Sequence, residues 1–445
     1  MDILALLSGA GSLAWTVLFF LISIAIIVAV HEYGHYIVGR WSGIHAEVFS
    51  LGFGPVIYAR TDRRGTRWQI AAVPLGGYVK FMGDANAASG RDEGAMSALS
   101  TEERRHTMHG APLWARAATV AAGPVFNVIL TLAVYIGMIG TLGISSDTPV
   151  VGEMRNVPFE SPGLQVGDRV LAVNGIGTPD MAAYVAMATT LPAAAAVEYR
   201  VERAGAEIAL QGPHPYPPVV VAVHSKNAAM AAGIEVGDVI ISANGVPVRA
   251  FAELPPIVEA SAGKPVALEI WRAGETIAIS LQANRRDLPL PEGGFETRWL
   301  IGLSGGLLFE PEMRRAGPLE TVQLAAEQTW YVAKTSLSGL WHVVTGAISS
   351  CNLSGPIGMA EVMGDAARSG PEQFLSMLAV LSLGIGMLNL FPIPVLDGGH
   401  LLFHAFEAVT GKPPSESVLR VLMSAGLVLI LGFMAFALSN DLFCT

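Results

Sequence analysis

Three residues suited to metal binding and proton transfer lie within one five-residue stretch: His31, Glu32 and His35. The pattern is HExxH, and residues i and i+4 share a face on a helix, so both imidazoles can reach one Zn²⁺. Glu32 lies beside them and can take a proton from a water that the metal activates. HExxH also arises by chance in helices. Here it continues an apolar run, where unpaired ionisable side chains are costly, so we predict a zinc site.

Catalytic zinc needs a third protein ligand, and Asp397 is the candidate. It is the first charged residue after Glu372, and it follows Pro392 and Pro394. The prolines cannot sit in an unbroken helix, and open backbone at membrane depth is tolerated where protein or a wet cavity covers it. The alternative is a proline-kinked helix end capped by Asp and Gly. We predict that Asp397 completes the ligand set.

The elements that must position these residues are apolar. Of the 445 residues, 52% are hydrophobic and only 14% are charged, which excludes a disordered chain. The formal charge of −10 argues against nucleic acid as a partner. Each apolar run is long enough to cross a bilayer, and the runs are 13–30, 117–146, 374–396 and 421–440. The first lacks a basic n-region, so we expect a retained helix rather than a cleaved signal peptide.

Sidedness follows from the Lys and Arg residues beside the spans. The loop between the first two spans is rich in arginine, which makes it cytoplasmic, and both termini and 147–372 then lie outside. The run 335–360 also lacks Asp, Glu, Lys and Arg. We expect it to be an interfacial or re-entrant segment, because one more span would move Asp397 away from the HExxH end of the first helix. The two cysteines indicate neither a disulfide framework nor a cysteine-based metal site.

The chain resembles the site-2 proteases, which are intramembrane zinc metalloproteases, through HExxH in a first membrane helix and NxxPxPxxDG in a later one. It is more closely similar to the bacterial regulator-of-sigma-E protease group. The further matching segments are 52–54 (GFG), 74–80 (PLGGYVK), 122–124 (AGP) with Asn127, and 354–358 (SGPIG).

The resemblance implies a role for each matching residue. His31, His35 and Asp397 would bind Zn²⁺, and Glu32 would be the general base. Asn389 would hold the substrate backbone or the developing oxyanion, unless it only satisfies carbonyls of the broken helix. Gly52, Phe53 and Gly54 would belong to a membrane-associated β-hairpin that contacts substrate. For Gly123, Pro124 and Asn127 the resemblance implies contact with the metal-site core, and we interpret them as structural residues of a kinked, packed helix.

An internal repeat occupies the segment between the second and third spans. Residues 163–175 align with 233–245 at an offset of 70, and each copy places GD before an apolar strand and NG at a tight turn. The repeat looks like two tandem PDZ domains, which could take peptide ligands by strand addition or serve as spacers. Residues 320–342 read as an amphipathic helix that could gate substrate entry, or as a plain linker.

The predicted fold is a polytopic α-helical membrane protein with four transmembrane helices, an extracytoplasmic pair of α+β PDZ domains and a membrane-associated β-hairpin. In order, these are a first transmembrane helix in 1–40, a cytoplasmic loop with the hairpin in 41–112, a second helix in 113–146, PDZ domains in 147–213 and 217–285, an interfacial linker in 286–372, a third helix in 373–400 and a fourth in 418–440.

The sequence favours an intramembrane zinc endopeptidase in the bacterial inner membrane that cleaves single-span proteins. Its active site would lie near the cytoplasmic side, and such cleavage would release a cytoplasmic regulator or dispose of remnant signal peptides. A non-enzymatic PDZ-bearing membrane scaffold is the alternative. A soluble-type zincin with an anchor is disfavoured, because HExxH lies inside the apolar run.

Overall fold

The computed structural model describes residues 3–85, 94, 97, 99–159, 163–224, 227–289 and 295–443. Eleven helices occur in this part of the chain. They are α1 (Ile3–Trp41), α2 (Thr101–Arg104), α3 (Leu113–Leu142), α4 (Met181–Thr190), α5 (Ala228–Ala231), α6 (Leu254–Ala260), α7 (Pro318–Val344), α8 (Pro356–Ser369), α9 (Pro371–Asn389), α10 (Asp397–Thr410) and α11 (Glu416–Phe443).

Four of these helices are long and apolar enough to cross a membrane, which confirms the predicted number of spans. They are Leu13–Trp41 within α1, α3, α9 and α11. The run 335–360 is no continuous helix, because it is divided among the end of α7, a 3₁₀ turn at Ser350–Asn352 and the start of α8. It is not among the four candidate spans in the described residues.

The chain divides into two units. The helical unit comprises Met1–Met138, Pro318–Val343 and Leu353–Thr445, and the strand-rich unit comprises Ile139–Gly317 and Val344–Asn352. In the helical unit, a core of buried side chains such as Tyr36, Phe49 and Phe81 joins the end of α1 to a β-sheet. That unit therefore combines membrane-length helices with one sheet.

The sheet of the helical unit consists of two long bent strands, β1 (Ala46–Thr61) and β2 (Arg67–Phe81), which pair antiparallel. Residues 48–51 pair on one side with 77–80 and on the other with 67–70, and 67–70 also pair with 58–61. The pairing therefore makes a folded sheet of four segments rather than a simple hairpin. Gly52 stands at the bend with φ +89°, and a Cβ there would meet the carbonyl oxygens of Ala71 and Val73.

The strand-rich unit contains two halves with the same strand order. The first four-stranded sheet is ordered β6-β5-β7-β8, and the second is ordered β11-β10-β12-β13. In the first half these strands are β5 (Arg169–Val173), β6 (Ile176–Gly177), β7 (Val197–Arg203) and β8 (Ala206–Gly212); in the second they are β10 (Val239–Ala243), β11 (Val246–Pro247), β12 (Pro265–Arg272) and β13 (Glu275–Gln282). The NG turns predicted from the repeat have positive φ at Asn174 and Asn244.

Short strands outside the repeat extend both halves. They are β3 (Ile144–Ser145), β4 (Val151–Met154), β9 (Val220–Val223), β14 (Asn284–Pro289), β15 (Phe295–Leu300), β16 (Leu303–Gly305), β17 (Phe309–Pro311) and β18 (Met313–Arg314). β17 pairs with β4 of the first half, and β16 pairs with β9 of the second. Part of the predicted linker 286–372 therefore belongs to the sheets of this unit.

A disulfide, which the sequence does not indicate, is also present. Cys351 is disulfide-bonded. The sequence holds one other cysteine, Cys444, which lies outside the described residues.

Each half of the strand-rich unit contains a buried aspartate held by an arginine. The guanidinium of Arg203 donates to both oxygens of Asp168 at 2.7 Å, and Arg272 does the same to Asp238. Burial raises the pKa of Asp168, but hydrogen bonds from Arg203 and from the Gln165 N–H outweigh it, so this pKa lies below its ordinary value. The aspartates thus anchor both copies of the repeated GD motif.

We expect Arg203→Gln to lower the thermal stability of the strand-rich unit by several degrees at pH 7, because Asp168 remains buried without its partner. A lowered pKa contributes stability above the ordinary aspartate pKa of about 3.9, and this contribution is lost as pH falls through the folded value. The difference in stability between wild type and Arg203→Gln should therefore become smaller at acidic pH. Unfolding of the full chain, followed at several pH values, measures both effects. Arg200→Gln removes an exposed pair with Glu207 and serves as the matched control. An equal loss in both variants would contradict the expectation.

Candidate metal centre

Helix α1 carries two predicted ligands on one face. It runs without interruption through the HExxH residues, so His31 and His35 are one turn apart, and their Nε2 atoms lie 3.1 Å from each other. The side chains are only 10% and 12% exposed. Two imidazole nitrogens are thus aimed at one buried point.

Asp397 reaches the same point from the break between α9 and α10. α9 ends at Asn389, Pro392 and Pro394 follow, and the chain becomes helical again at Asp397. The glycines after Asp397 let α10 start against this turn, because a Cβ at Gly398 or Gly399 would overlap backbone carbonyls of the segment just before them. The Asp397 Oδ2 atom lies 3.1 Å from His31 Nε2 and 3.5 Å from His35 Nε2.

The three side chains form a donor set that fits zinc. Bond lengths of 2.0–2.1 Å at tetrahedral angles separate two ligand atoms by about 3.3 Å. The observed separations of 3.1, 3.1 and 3.5 Å agree with this value. Asp397 Oδ2 is buried and has no hydrogen-bond partner in the described part of the chain, as expected of an atom that points at a cation. In the described part of the chain this is the one group of three His, Cys, Asp or Glu side chains placed to share a metal.

Helix α3 contacts the Nδ1 atoms of both histidines, which face away from the predicted metal. His35 Nδ1 lies 2.8 Å from the Thr119 carbonyl oxygen, and since it must donate there, Nε2 keeps its lone pair for a metal. The Asn127 amide lies against His31 Nδ1, with its Nδ2 at 3.2 Å, while its Oδ1 is buried and finds no partner among the residues described. Turning the Asn127 amide over exchanges its Nδ2 and Oδ1 atoms. With Oδ1 toward the ring, it accepts a hydrogen bond from His31 Nδ1, so His31 has the same tautomer as His35, with Nε2 free for a metal.

Close packing against α3 also explains the glycine of the AGP segment. A Cβ at Gly123 would overlap the Nε2 atoms of both His31 and His35. From the sequence we interpret Gly123 and Asn127 as structural, and the resemblance implies their contact with the metal-site core; both lie directly against the predicted ligands. The signal for such a role is Asn127 itself, a fully buried amide within an apolar span.

Asn127→Ala should lower zinc affinity about 10–100-fold, because His31 loses the partner that fixes its tautomer and ring orientation. Competition with a fluorescent chelator measures this affinity directly in the purified full chain. Thr131→Val is the matched control, since Thr131 is buried one turn further along α3 and bonds the Ala379 carbonyl instead of a ligand. Equal affinities for Asn127→Ala and wild type would rule out the positioning role.

A cavity of about 380 Å³ opens beside the three ligands. Glu32, Asn389 and Phe53 all line it. The backbone N–H of Val79 donates to the Glu32 carboxylate, which brings one segment of the bent sheet against α1. Of the predicted substrate-binding residues, Gly52 and Gly54 are not in the cavity lining, and they flank Phe53 with positive φ angles.

A second group of polar residues lines the same cavity, and sequence alone does not identify it. Arg116 at the start of α3 donates two hydrogen bonds, of 3.0 and 2.6 Å, to the Glu407 carboxylate on α10. His404 lines the cavity nearby, and burial together with the Arg116 charge lowers its pKa to about 4. The ion pair ties α3 to the helix that begins with Asp397.

Known proteins are similar to this chain over almost its whole length. The model of peptidase family M50 matches residues 19–433. A protein provisionally named a zinc metalloprotease in Agrobacterium fabrum is 33% identical over 441 residues, which cover 98% of each chain. The regulator of sigma E protease of Salmonella typhimurium is 33% identical over 461 residues, covering 97% of this chain and 99% of the relative.

Proposed function

Since the chain belongs to peptidase family M50 and is a zinc metalloprotease of the site-2 type, we propose that it cuts single-span membrane proteins within or beside their apolar segments. The observation that carries this proposal is the position of the ligands. His31 and His35 lie on a helix long enough to cross a membrane, and Asp397 meets them from the break after another such helix.

In the proposed mechanism His31, His35 and Asp397 would hold Zn²⁺, which would supply a Lewis acid that lets a water molecule lose a proton near neutral pH. Glu32 lines the same cavity and accepts that proton as the water oxygen attacks the scissile carbonyl. The same carboxyl then donates the proton to the departing amide nitrogen. Asn389, at the end of α9, has its amide free among the described residues and would donate to the carbonyl oxygen as negative charge develops.

The bent sheet supplies a route for presenting substrate. A helical peptide bond already uses its carbonyl, so a membrane-spanning substrate must unwind before attack. Among the residues that the structure describes, 77–79 have a strand partner, 49–51, on one side only, and they line the cavity. We propose that an unwound substrate segment pairs with this open edge. Phe53 would contact its side chains, and Gly52 and Gly54 would allow the bend that brings Phe53 there.

The strand-rich unit is proposed to lie outside the cytoplasm, as the arginine-rich loop implies, with the active site near the cytoplasmic side of the bacterial inner membrane. Its two matching halves are proposed to be PDZ domains that take an extended peptide from the outer part of a substrate. α7 has exposed Trp330, Tyr331 and Trp341, which suit an amphipathic helix at the outer surface. Cleavage would then release an anti-sigma factor or clear a remnant signal peptide.

The full chain, reconstituted in liposomes with zinc and a model single-span protein, tests the proposal. We expect cuts within or next to the apolar segment, loss of cutting with a zinc chelator, and recovery when zinc is restored. Mass spectrometry of the products locates the cuts. Absence of cleavage by zinc-loaded protein, or cuts confined to loops far from the bilayer, would overturn the proposal and favour the non-enzymatic scaffold.

A further inference from the structure

Two cavities adjoin on a face of α1 other than the one that bears the metal ligands. The first, called here the arginine cavity, has a volume of about 520 Å³ and is lined mainly by Arg40, Arg63, Arg64, Tyr36 and Trp68. The second, the apolar groove, has a volume of about 440 Å³. Tyr33 and Trp68 line both, so the two cavities are neighbours.

The arginine cavity has an excess of positive charge. Arg63 and Arg64 are exposed, and among the described residues neither they nor Arg40 form an ion pair with an acidic side chain. Asp62 is the acidic residue in the lining, and its carboxylate accepts from the Arg64 and Thr66 N–H groups and from Trp68 Nε1. Three guanidinium groups against one carboxylate leave a formal charge of +2. Planar guanidinium groups bind phosphate oxygens in pairs, so the cavity suits a phosphate ester.

The apolar groove has a different character. Apart from Gln69, it is lined by apolar and aromatic residues, which are Ala29, Val30, Tyr33, Phe49, Leu51, Tyr58, Trp68 and Ile70. The Gln69 amide donates instead to the Ser50 and Tyr78 hydroxyls, so it offers the groove no free donor. Apart from the Tyr33 and Tyr58 hydroxyls the lining is apolar, so a hydrocarbon chain would bury apolar surface there.

The order of the two cavities along α1 matches the profile of a membrane leaflet. Arg40 lies at the end of the helix, next to exposed Trp41, and Ala29 lies eleven residues deeper. At 1.5 Å per residue this is about 16 Å, close to half of a hydrocarbon core of about 30 Å. Tyr33, Tyr36 and Trp68 lie between the charged and apolar ends, where aromatic side chains favour the interface.

From these observations we propose that the two cavities together bind one anionic phospholipid, with its phosphate among Arg40, Arg63 and Arg64 and an acyl chain in the groove. The lipid would pack the turn at 62–66 against α1. This turn belongs to the sheet whose other edge borders the metal cavity, so a bound lipid would stabilise that sheet. Lipid binding does not depend on the proposed proteolytic activity and can be measured without it.

Native mass spectrometry of the zinc-loaded full chain, titrated with phosphatidylglycerol and phosphatidylcholine, tests the proposal. A basic residue near an anionic lipid contributes about fivefold in affinity, so R63Q/R64Q should weaken phosphatidylglycerol binding about thirtyfold and leave phosphatidylcholine binding unchanged. R104Q/R105Q removes two exposed arginines from the same loop and should change binding less than twofold. Equal losses in the two double variants would mean unspecific attraction and would overturn the site.

A separate test of the groove does not depend on the folding of the arginine variant. Ala29→Phe fills the groove and should weaken phosphatidylglycerol binding at least tenfold, whereas Ala25→Phe, one turn away on α1 and exposed, should not. Glycerol 3-phosphate has the charge without the chains and should not compete. Competition by glycerol 3-phosphate at the affinity of the lipid, or equal binding by both phenylalanine variants, would show that no acyl chain occupies the groove.

Discussion

Glu32→Gln should reduce cleavage of a membrane-embedded substrate by about 10²–10⁴-fold while the protein still binds one zinc per chain. The amide keeps the size of the carboxyl but cannot accept a proton, and general-base catalysis contributes about this factor. The three predicted ligands are untouched. The amide keeps the volume that packs against Gly77, and its oxygen can still accept the hydrogen bond from the Val79 N–H. Single-turnover cleavage in liposomes and zinc analysis of the same sample measure the two properties together.

Glu416→Gln is the control for this substitution, since Glu416 is exposed in the first turn of α11 and does not line the cavity beside the predicted ligands. It should cleave at the wild-type rate. If Glu32→Gln retained wild-type cleavage, Glu32 would not be the base and the proposed proton path would be wrong. Loss of zinc from the variant would instead assign Glu32 a role in holding the site together.

The other large effect is expected from a single methyl group. Gly123→Ala places a Cβ where it overlaps the metal-facing nitrogens of His31 and His35. α1 and α3 would have to separate, or the imidazoles would have to turn away from Asp397. We expect zinc content below about a tenth of the wild-type level and no cleavage, since ligand geometry must hold to within a few tenths of an ångström.

Gly137→Ala offers a matched control on the same helix, because a Cβ at Gly137 meets nothing within 4 Å. It should bind zinc and cleave like the wild type, and alanine should not weaken the helix. Inductively coupled plasma mass spectrometry compares the zinc content of the Gly123→Ala and Gly137→Ala variants. Full zinc occupancy in Gly123→Ala would show that the site relaxes far more easily than its packing suggests.

The meeting of His31, His35 and Asp397 was predictable because ionisable residues conflict with apolar surroundings. His31, Glu32 and Asp397 are ionisable groups at the ends of apolar runs, and such groups need a partner or a function. Gly123 carries no such signal, since glycine in a membrane helix is ordinary and its contact depends on how α1 and α3 pack. Arg116 and Glu407 are 291 residues apart in sequence, so only the folded chain shows that they pair.

The strand-rich unit was predictable to a similar extent and for similar reasons. The repeat identifies the strands β5 and β10 and the turns after them, because local patterns set both. It does not identify β16 and β17, which are three residues each and pair with strands far earlier in the chain. The bends in β1 and β2 could not be predicted either. Residues 48–51 and 58–61 both belong to β1 and both pair with 67–70, and the alternation of apolar and polar side chains does not reveal such double pairing.

Helix α3 contacts both histidines directly and reaches Asp397 through the Arg116–Glu407 pair and α10. Metal affinity and the seating of this one helix are therefore thermodynamically linked. Any influence that loosens α3, whether a substitution, a bilayer of unsuitable thickness or a detergent, should release the metal. By the same reciprocity, metal loading should make α3 harder to displace, so chelation would weaken the membrane-embedded core well before it affected the two repeated halves.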